Sequence, residues 1–485
     1  MEVRNLEPSA LWNNFADLNA VPRASKKETQ VIAFMMAFGE QLGLETVQDG
    51  IGNVVIKKPA TSGMENRQTV VLQSHLDMVH QKNGDTDFDF ATQGIDMFID
   101  EDWVRARGTT LGADNGIGVA TIMSLLAATD IPHPALEAMF TIDEETGMTG
   151  AKELDPANFS GKILLNLDTE EDDELTIGCA GGIDTNTSYN YEAQPANTVS
   201  TSFQITIKGL MGGHSGMDIH KGRANANKLM NRLLFSLLQR IHFQLSALDG
   251  GSLRNAIPRE SNAVVVVPLE NIALFHSSLA EFEELIHAEY HSVEAGLRIS
   301  ATEIAPAIHV ISHEELVKII NAIYALPNGV FRMSPDIAGL VEASSNLARV
   351  VIKEGLFTTQ SLQRSSVEST KTDVSNAIRA AFENIGAIVE QGGDYPGWKP
   401  NADSDILRLM VKLYETRFEQ APKVEACHAG LECGIIGGHL PGMDMISFGP
   451  TIHGAHSPDE RVQISSVQKF WGYLLAVLAE IPEKK

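Results

Sequence analysis

Apolar and polar positions along the first third of the chain alternate between two spacings. Val31, Ile32, Phe34, Met35, Phe38 and Leu42 recur at helical intervals and predict a helix over 27–42. Three short apolar runs, 69–73, 135–142 and 163–167, are rich in Val, Ile, Leu or Phe and stop at charged residues. They predict buried strands. A further helix pattern over 116–128 lies between two of them. Alternation of this kind predicts an α/β fold with a mostly parallel central sheet and helices on its faces.

The character changes from about residue 183. Phe203, Ile205 and Ile207 alternate with polar residues, as in a half-buried strand over 202–208. A helix pattern over 226–243, a strand over 262–269, a helix over 281–293 and a strand over 296–304 follow. A similar series recurs: helix 313–325, strands 347–352 and 356–362, helix 372–385 and strand 387–391. The pattern predicts two small α+β units in tandem. The turn-rich stretch Tyr395-Pro-Gly-Trp398-Lys-Pro400 then leads back to the earlier style, with helices over 404–418 and 467–478 and a strand over 445–448. The expected organisation is an α/β domain of residues 1–183 and 396–485, split by an inserted α+β domain of residues 184–395.

Composition narrows the partners. Of 485 residues, 63 are acidic and 37 basic, a net charge of −26. Such a chain repels nucleic acid and anionic lipid, so neither is an expected partner. Three cysteines do not make a disulfide scaffold and point to a reducing compartment. The first 20 residues carry Glu2, Arg4, Glu7 and Asp17 without a sustained apolar run, unlike a secretory signal. No apolar stretch is long enough to span a membrane. A cytoplasmic location is expected.

Five polar clusters sit at the boundaries of these elements. They are Gln73-Ser-His75-Leu-Asp77, Gly112-Ala-Asp114-Asn115-Gly116, Asp143-Glu144-Glu145-Thr-Gly147, Asn166-Leu-Asp168 and His453-Gly-Ala-His456-Ser-Pro-Asp459. In an open α/β sheet the carboxyl ends of the strands converge on one crevice. His75 and Asp77 project to the same side of an extended segment, so one can ligate a metal while the other fixes the ring. Glu144 and Glu145 point in different directions, so one can bind metal while the other handles protons. Two imidazoles with several carboxylates suit zinc or a similar transition ion better than magnesium or calcium. The candidates outnumber the ligands of one tetrahedral zinc, and two metals sharing a carboxylate would account for the surplus. Taken singly, Asp114 reads equally as a helix cap and Asp168 as a turn residue. Recurrence at five element boundaries favours a shared site.

The motifs S-H-L-D-M-V (74–79), G-A-D-N-G-I-G (112–118), D-E-E-T-G (143–147), N-L-D (166–168) and H-S-P-D-E (456–460) resemble those of the co-catalytic metallopeptidases that include carnosinase-like and aminoacylase-like enzymes. G-C-A-G-G-I-D (178–184), K-G-L-M-G-G-H-S-G (208–216), R-N-A-I-P-R-E (254–260), Y-P-G-W (395–398) and H-A-G-L-E-C-G (428–434) resemble the bacterial Xaa-His dipeptidase branch of that family. The resemblance runs through most of the chain. It implies a di-zinc catalytic domain split by an inserted lid domain. Two Zn2+ ions per chain are implied, with Co2+ or Mn2+ as alternatives. His75 and Asp168 would bind one ion, Glu145 and His456 the other, with Asp114 bridging. Glu144 would be the general base that activates water, and Asp77 would orient His75. His214 would be a second oxyanion donor, brought to the metals by closure of the inserted domain. Arg364 would grip a substrate carboxylate, assisted by the backbone N–H of Gly430, and Asn255 would line the pocket. The implied substrates are Xaa-His dipeptides, including β-alanyl-histidine. Broad dipeptidase action or deacylation of N-acyl amino acids are the alternatives on the same scaffold. A metal-binding protein without activity would not need Glu144. The resemblance leaves a homodimer open, since an insert of this size could supply His214 from the same chain.

Overall fold

A computed structural model describes residues 2–484. The chain forms two compact units. Unit 1 holds the chain up to Gly178, Trp398–Ala426 and the chain from Leu431 onward; unit 2 holds Cys179–Gly397 and Cys427–Gly430.

Unit 1 is built on an eight-stranded sheet in the order Glu45–Gln48, Val54–Lys58, Leu136–Thr141, Val70–His75, Ile163–Asn166, Asp444–Ser447, Glu174–Cys179, Lys423–Cys427. The central four strands run parallel. The flanking strands Glu45–Gln48, Val54–Lys58 and Glu174–Cys179 pair antiparallel. Every residue of Val70–His75, Leu136–Thr141 and Ile163–Asn166 is buried. That is why these runs are apolar without alternation: a parallel strand covered on both faces has no solvent side. Helix Ala113–Ala127 packs on this sheet and is buried almost all round. A second sheet of four strands, ordered Ile452–His453, Arg461–Gln463, Trp103–Ala106, Met97–Asp100, frames the loop that carries His456.

Unit 2 holds a nine-stranded sheet. Its main path runs Arg298–Glu303, Ser200–Lys208, Ser261–Pro268, Gln244–Gly251, Val341–Lys353, Leu356–Ser365, Gly181–Asn190, Ile388–Tyr395, with Gly329–Met333 added beside Val341–Lys353. The two recurring halves are therefore not separate tandem units. They join where Gln244–Gly251 pairs with Val341–Lys353, Leu248 opposite Ile352. Pairing the inner edges satisfies backbone groups that each half would otherwise expose. It also merges the apolar faces. Leu233 from helix Ala226–Leu238, Ile319 from His313–Ala325 and Phe382 from Glu368–Glu383 belong to one core cluster.

The junctions differ from the expected 183/184 and 395/396 because the connecting segments are sheet. Gly181 pairs with Ser365 and Gly182 with Tyr395, which draws the boundary back to Cys179 and on to Gly397. Residues 427–430 return to unit 2 because the Ala180 N–H donates to the carbonyls of Cys427 and Ala429, both at 3.0 Å. Among the described residues no helix is long and apolar enough to cross a membrane.

Phe357 and Phe382 are fully buried with ring centroids 5.9 Å apart, and they lock helix Glu368–Glu383 onto the unit 2 sheet. Phe382→Ala is expected to destabilise unit 2 by about 3–5 kcal/mol. Urea denaturation checks this; a loss below about 1 kcal/mol would show that the helix is not held by this contact.

Candidate active site

Strand register brings the unit 1 clusters together. His75 pairs with Thr141, so the turn beginning at Asp143 leaves the sheet beside it. Gln73 pairs with Asn166, which places Asp168 just beyond the same end. Asp114 enters at the start of helix Ala113–Ala127, and His456 from the loop between Ile452–His453 and Arg461–Gln463.

The Asp114 carboxylate lies between two imidazoles. Its Oδ1 is 3.1 Å from His75 Nε2 and its Oδ2 is 3.2 Å from His456 Nε2. Asp168 Oδ1 approaches His75 Nε2 at 3.5 Å, and Glu145 Oε2 approaches His456 Nε2 at 3.0 Å. The five side chains thus form two overlapping groups that share Asp114. Asp77 stands behind them, its Oδ1 3.4 Å from His75 Nδ1. The same carboxylate accepts the backbone N–H groups of Glu144 at 3.0 Å and Glu145 at 3.3 Å. It therefore holds the ring and the Glu144–Glu145 turn at once. That turn begins at Asp143, whose φ of 52° is left-handed and whose carboxylate accepts the hydroxyls of Thr146 and Thr149.

Protonation follows from crowding of carboxylates away from water. Burial opposes a charge on His75, but Asp168, Asp114 and Asp77 outweigh it and hold the ring well above the usual histidine value. His456 is pushed up to about 11 by its bonds to Asp114 and Glu145. Burial raises Asp168 to about 6, aided by Asp114 and Glu145 and opposed by His75. Burial also lifts Glu144 well above the ordinary carboxylate range, with Asp168, Glu432 and Glu145 adding to the effect and His75 opposing it. A proton on Glu144 is therefore retained more easily than on an exposed glutamate.

These residues fit divalent cations. Glu145 Oε1 and Asp168 Oδ1 are buried without a hydrogen-bond partner. Such atoms are expensive to bury unless something positive meets them. Two imidazole nitrogens and three carboxylates form an N/O donor set suited to zinc and its neighbours.

Unit 2 gathers the remaining candidates around positive charge. Arg364 is buried in strand Leu356–Ser365. Its Nη1 donates to Tyr395 Oη at 2.9 Å, and its Nε lies 3.5 Å from Ser215 Oγ. Among the described residues it forms no ion pair. His214 Nδ1 accepts the backbone N–H groups of Gly216 at 3.2 Å and Met217 at 3.0 Å. That leaves Nε2 to carry the proton of the neutral ring. Burial and Arg364 both lower the His214 pKa. Asn255 is joined to this turn through its backbone carbonyl, which accepts the Ser215 N–H at 2.8 Å, while the residue itself is exposed. The 427–430 segment, which ends at Gly430, crosses the same turn: a Cβ on Gly216 would stand 2.0 Å from the His428 carbonyl oxygen and 3.2 Å from Arg364 Cδ.

Several contributors carry no signal in the sequence pattern, although motifs contain all of them but one. Tyr395 and His428 lay in Y-P-G-W and H-A-G-L-E-C-G. His428 bonds Ser344 Oγ at 2.8 Å, and burial with nearby Arg364, His220 and His214 pushes it down to about 3. Glu432 accepts from Gln73 at 2.7 Å and Thr141 at 2.6 Å, and burial raises it to about 7. Arg23, a fully buried arginine, lay in no motif.

The sequence model of peptidase family M20/M25/M40 matches residues 71–480. The chain is 40% identical over 486 residues to the cytosol non-specific dipeptidase of Escherichia coli (strain K12), covering 100% of both chains. The crystal structure of aminoacylhistidine dipeptidase from Vibrio alginolyticus superposes with a TM-score of 0.95 at 43% identity, covering 100% of this chain and 99% of that one. Aminopeptidase PepT from Bacillus cereus shares the fold, with a TM-score of 0.57 at 16% identity over 98% of this chain and 99% of that one.

Two measurements check the electrostatics. His456 is protonated at neutral pH in the metal-free protein, and ligation needs a neutral ring. Adding Zn2+ to chelator-treated protein at pH 7 is expected to release protons, read by an indicator dye in weak buffer; binding without release contradicts the assignment. In unit 2, His428 falls from 6.5 to about 3 on folding. The unfolded state then binds the extra proton between those values, so its contribution to stability is lost as pH falls from about 6.5 towards 3. Urea midpoints at pH 5 and pH 7 should differ less in His428→Gln than in the wild type; equal differences would contradict the buried neutral ring.

Proposed function

The chain belongs to peptidase family M20/M25/M40, and on that premise we propose that it is a two-metal dipeptidase acting on Xaa-His dipeptides, including β-alanyl-histidine. The observation that carries this reading is the Asp114 carboxylate, which offers one oxygen beside each of two histidines with Glu144 in the same cluster. In this reading His75 and Asp168 would hold one ion, Glu145 and His456 the other, and Asp114 would serve both. Two Zn2+ ions, or Co2+ or Mn2+ in their place, would supply Lewis acidity and lower the pKa of water in the site.

The chain's own residues would do the rest. Glu144 takes a proton from the attacking water and returns it to the leaving amine. A pKa raised above the ordinary carboxylate range favours its holding the proton between the two transfers. Asp77 keeps the His75 ring oriented and the Glu144 backbone in place. Arg364 receives the substrate carboxylate, with the Gly430 N–H assisting and Asn255 lining the pocket. Among the described residues this buried guanidinium has no ion-pair partner, which supports that role, since its fork suits a planar carboxylate. His214, with its proton on Nε2, donates to the developing oxyanion.

The relatives from E. coli and Vibrio alginolyticus are both named dipeptidases, which supports peptide bonds between two amino acids as the target. The E. coli relative's name favours a second reading, a dipeptidase of broad specificity. Deacylation of N-acyl amino acids is the remaining alternative on this scaffold. The word cytosol in that name also supports a cytoplasmic location.

The test is hydrolysis of β-alanyl-histidine by chelated and zinc-restored protein, beside leucyl-glycine and N-acetyl-histidine. Activity that returns with metal and favours Xaa-His supports the first reading. Equal rates on leucyl-glycine move it to broad specificity, and cleavage of N-acetyl-histidine alone overturns the dipeptidase. Glu144→Ala is expected to lose about 10^2–10^4 in kcat with metal still bound. Full activity in that variant would sink the proton-transfer role.

A further inference from the structure

We infer that Glu460 is a positioning residue that ties the His456 loop to the Asp114 turn, and so keeps the two oxygens of Asp114 directed at two histidines. The inference rests on the two-metal reading above.

The side chain of Glu460 is buried against consecutive backbone donors. One oxygen accepts the N–H groups of Leu111 at 2.7 Å and Gly112 at 2.9 Å. The other accepts those of Ala113 at 2.7 Å and Asp114 at 3.2 Å. The amino end of a helix leaves such donors unsatisfied, and here no side chain at the Gly112 cap meets them. Glu460 does so from a distant part of the chain. Asp114 and Asn115 also depart from helical geometry, with φ/ψ of −80°/109° and −106°/30°. The carboxylate of Asp114 is therefore aimed by the turn, and the turn is held from outside.

The carbonyl side of the same turn is held by Arg23. Its Nη2 donates to the Gly112 carbonyl at 2.5 Å, and its Nη1 to those of Leu76 at 3.2 Å and Asp77 at 3.1 Å. Gly112 and Gly116 are needed there, because a Cβ on either would stand 2.5 or 2.6 Å from that nitrogen. Asn115 Nδ2 donates to the Leu167 carbonyl at 2.6 Å. The Asp114 turn is thus tied to the segments of His75 and Asp168 by groups other than Glu460.

The His456 side has fewer ties. His456 has a side chain 57% exposed and a left-handed φ of 64°. Within its loop the bonds are local: Ser457 Oγ to the Gly454 carbonyl, and the N–H groups of Asp459 and Glu460 to Ser457. Glu460 follows His456 by four residues and is the buried anchor of that loop on the Asp114 turn. Removing the anchor should loosen His456 relative to Asp114 while leaving His75 and Asp168 in place.

The test is manganese binding to chelated protein, followed by electron paramagnetic resonance. Wild type is expected to take up two ions with a spin-coupled signal. Glu460→Gln presents an amide to donors and should weaken one of the two ions by about 10–100-fold, the range for residues that support metal ligands. Spin coupling should be lost while the other ion stays bound. Glu460→Asp keeps the charge and should recover part of the coupling. Glu137→Gln is the matched control, since Glu137 accepts the backbone N–H groups of Ser160 and Gly161 elsewhere in unit 1. It should lower Tm and leave both ions coupled. Two coupled ions of unchanged affinity in Glu460→Gln overturn the inference, as does equal weakening of both ions. Failure of both Glu460 variants to fold would assign the residue to stability alone and overturn it too. Wild type that binds a single ion overturns the two-metal reading itself.

Discussion

Negative charge gathered away from water is the constraint on which unit 1 depends. Asp77, Asp114, Glu144, Glu145, Asp168, Glu432 and Glu460 belong to one electrostatic neighbourhood at the carboxyl end of the sheet. Like charges in a poorly hydrated site raise one another's pKa and need compensation. The structure answers with two histidines whose protonated form is favoured, backbone N–H groups and one buried guanidinium. Divalent cations would answer the same need more strongly, which is why the fold and the chemistry point the same way.

Unit 2 presents the opposite sign. Among the described residues Arg364 has no ion pair, and burial together with Arg364 and the neighbouring histidines keeps His428 neutral. In a chain of net charge −26, a buried guanidinium with no ion pair among the described residues is suited to meeting an anion. A peptide's carboxylate has the right charge and the right planarity for it.

Much of the support around the unit 1 carboxylates is backbone. Asp77, Glu460 and Glu137 accept consecutive N–H groups. Arg23 and Asn115 donate to carbonyls. Backbone partners are available to any sequence, so the identity of the neighbouring residue carries no signal of such contacts. This explains why Glu460 stood inside a recognised motif without a role, and why Arg23 stood in none; Glu432 instead meets the side chains of Gln73 and Thr141, which are distant from it in sequence.

The sequence by itself determined the local elements and their order, because periodicity is a property of neighbouring residues. The apolar runs that became Val70–His75, Leu136–Thr141 and Ile163–Asn166 were legible, as was the spacing that puts Asp77 behind His75. The candidate ligands were legible too, through where those runs end and through the family resemblance. Only the tertiary structure decided how distant segments meet. It joined the two halves of the insert through Leu248 and Ile352, where sequence suggested separate units. It brought Glu460 to Leu111 across 349 residues and Arg23 to Gly112 across 89. Contacts of that separation depend on chain topology and burial, which no local pattern encodes.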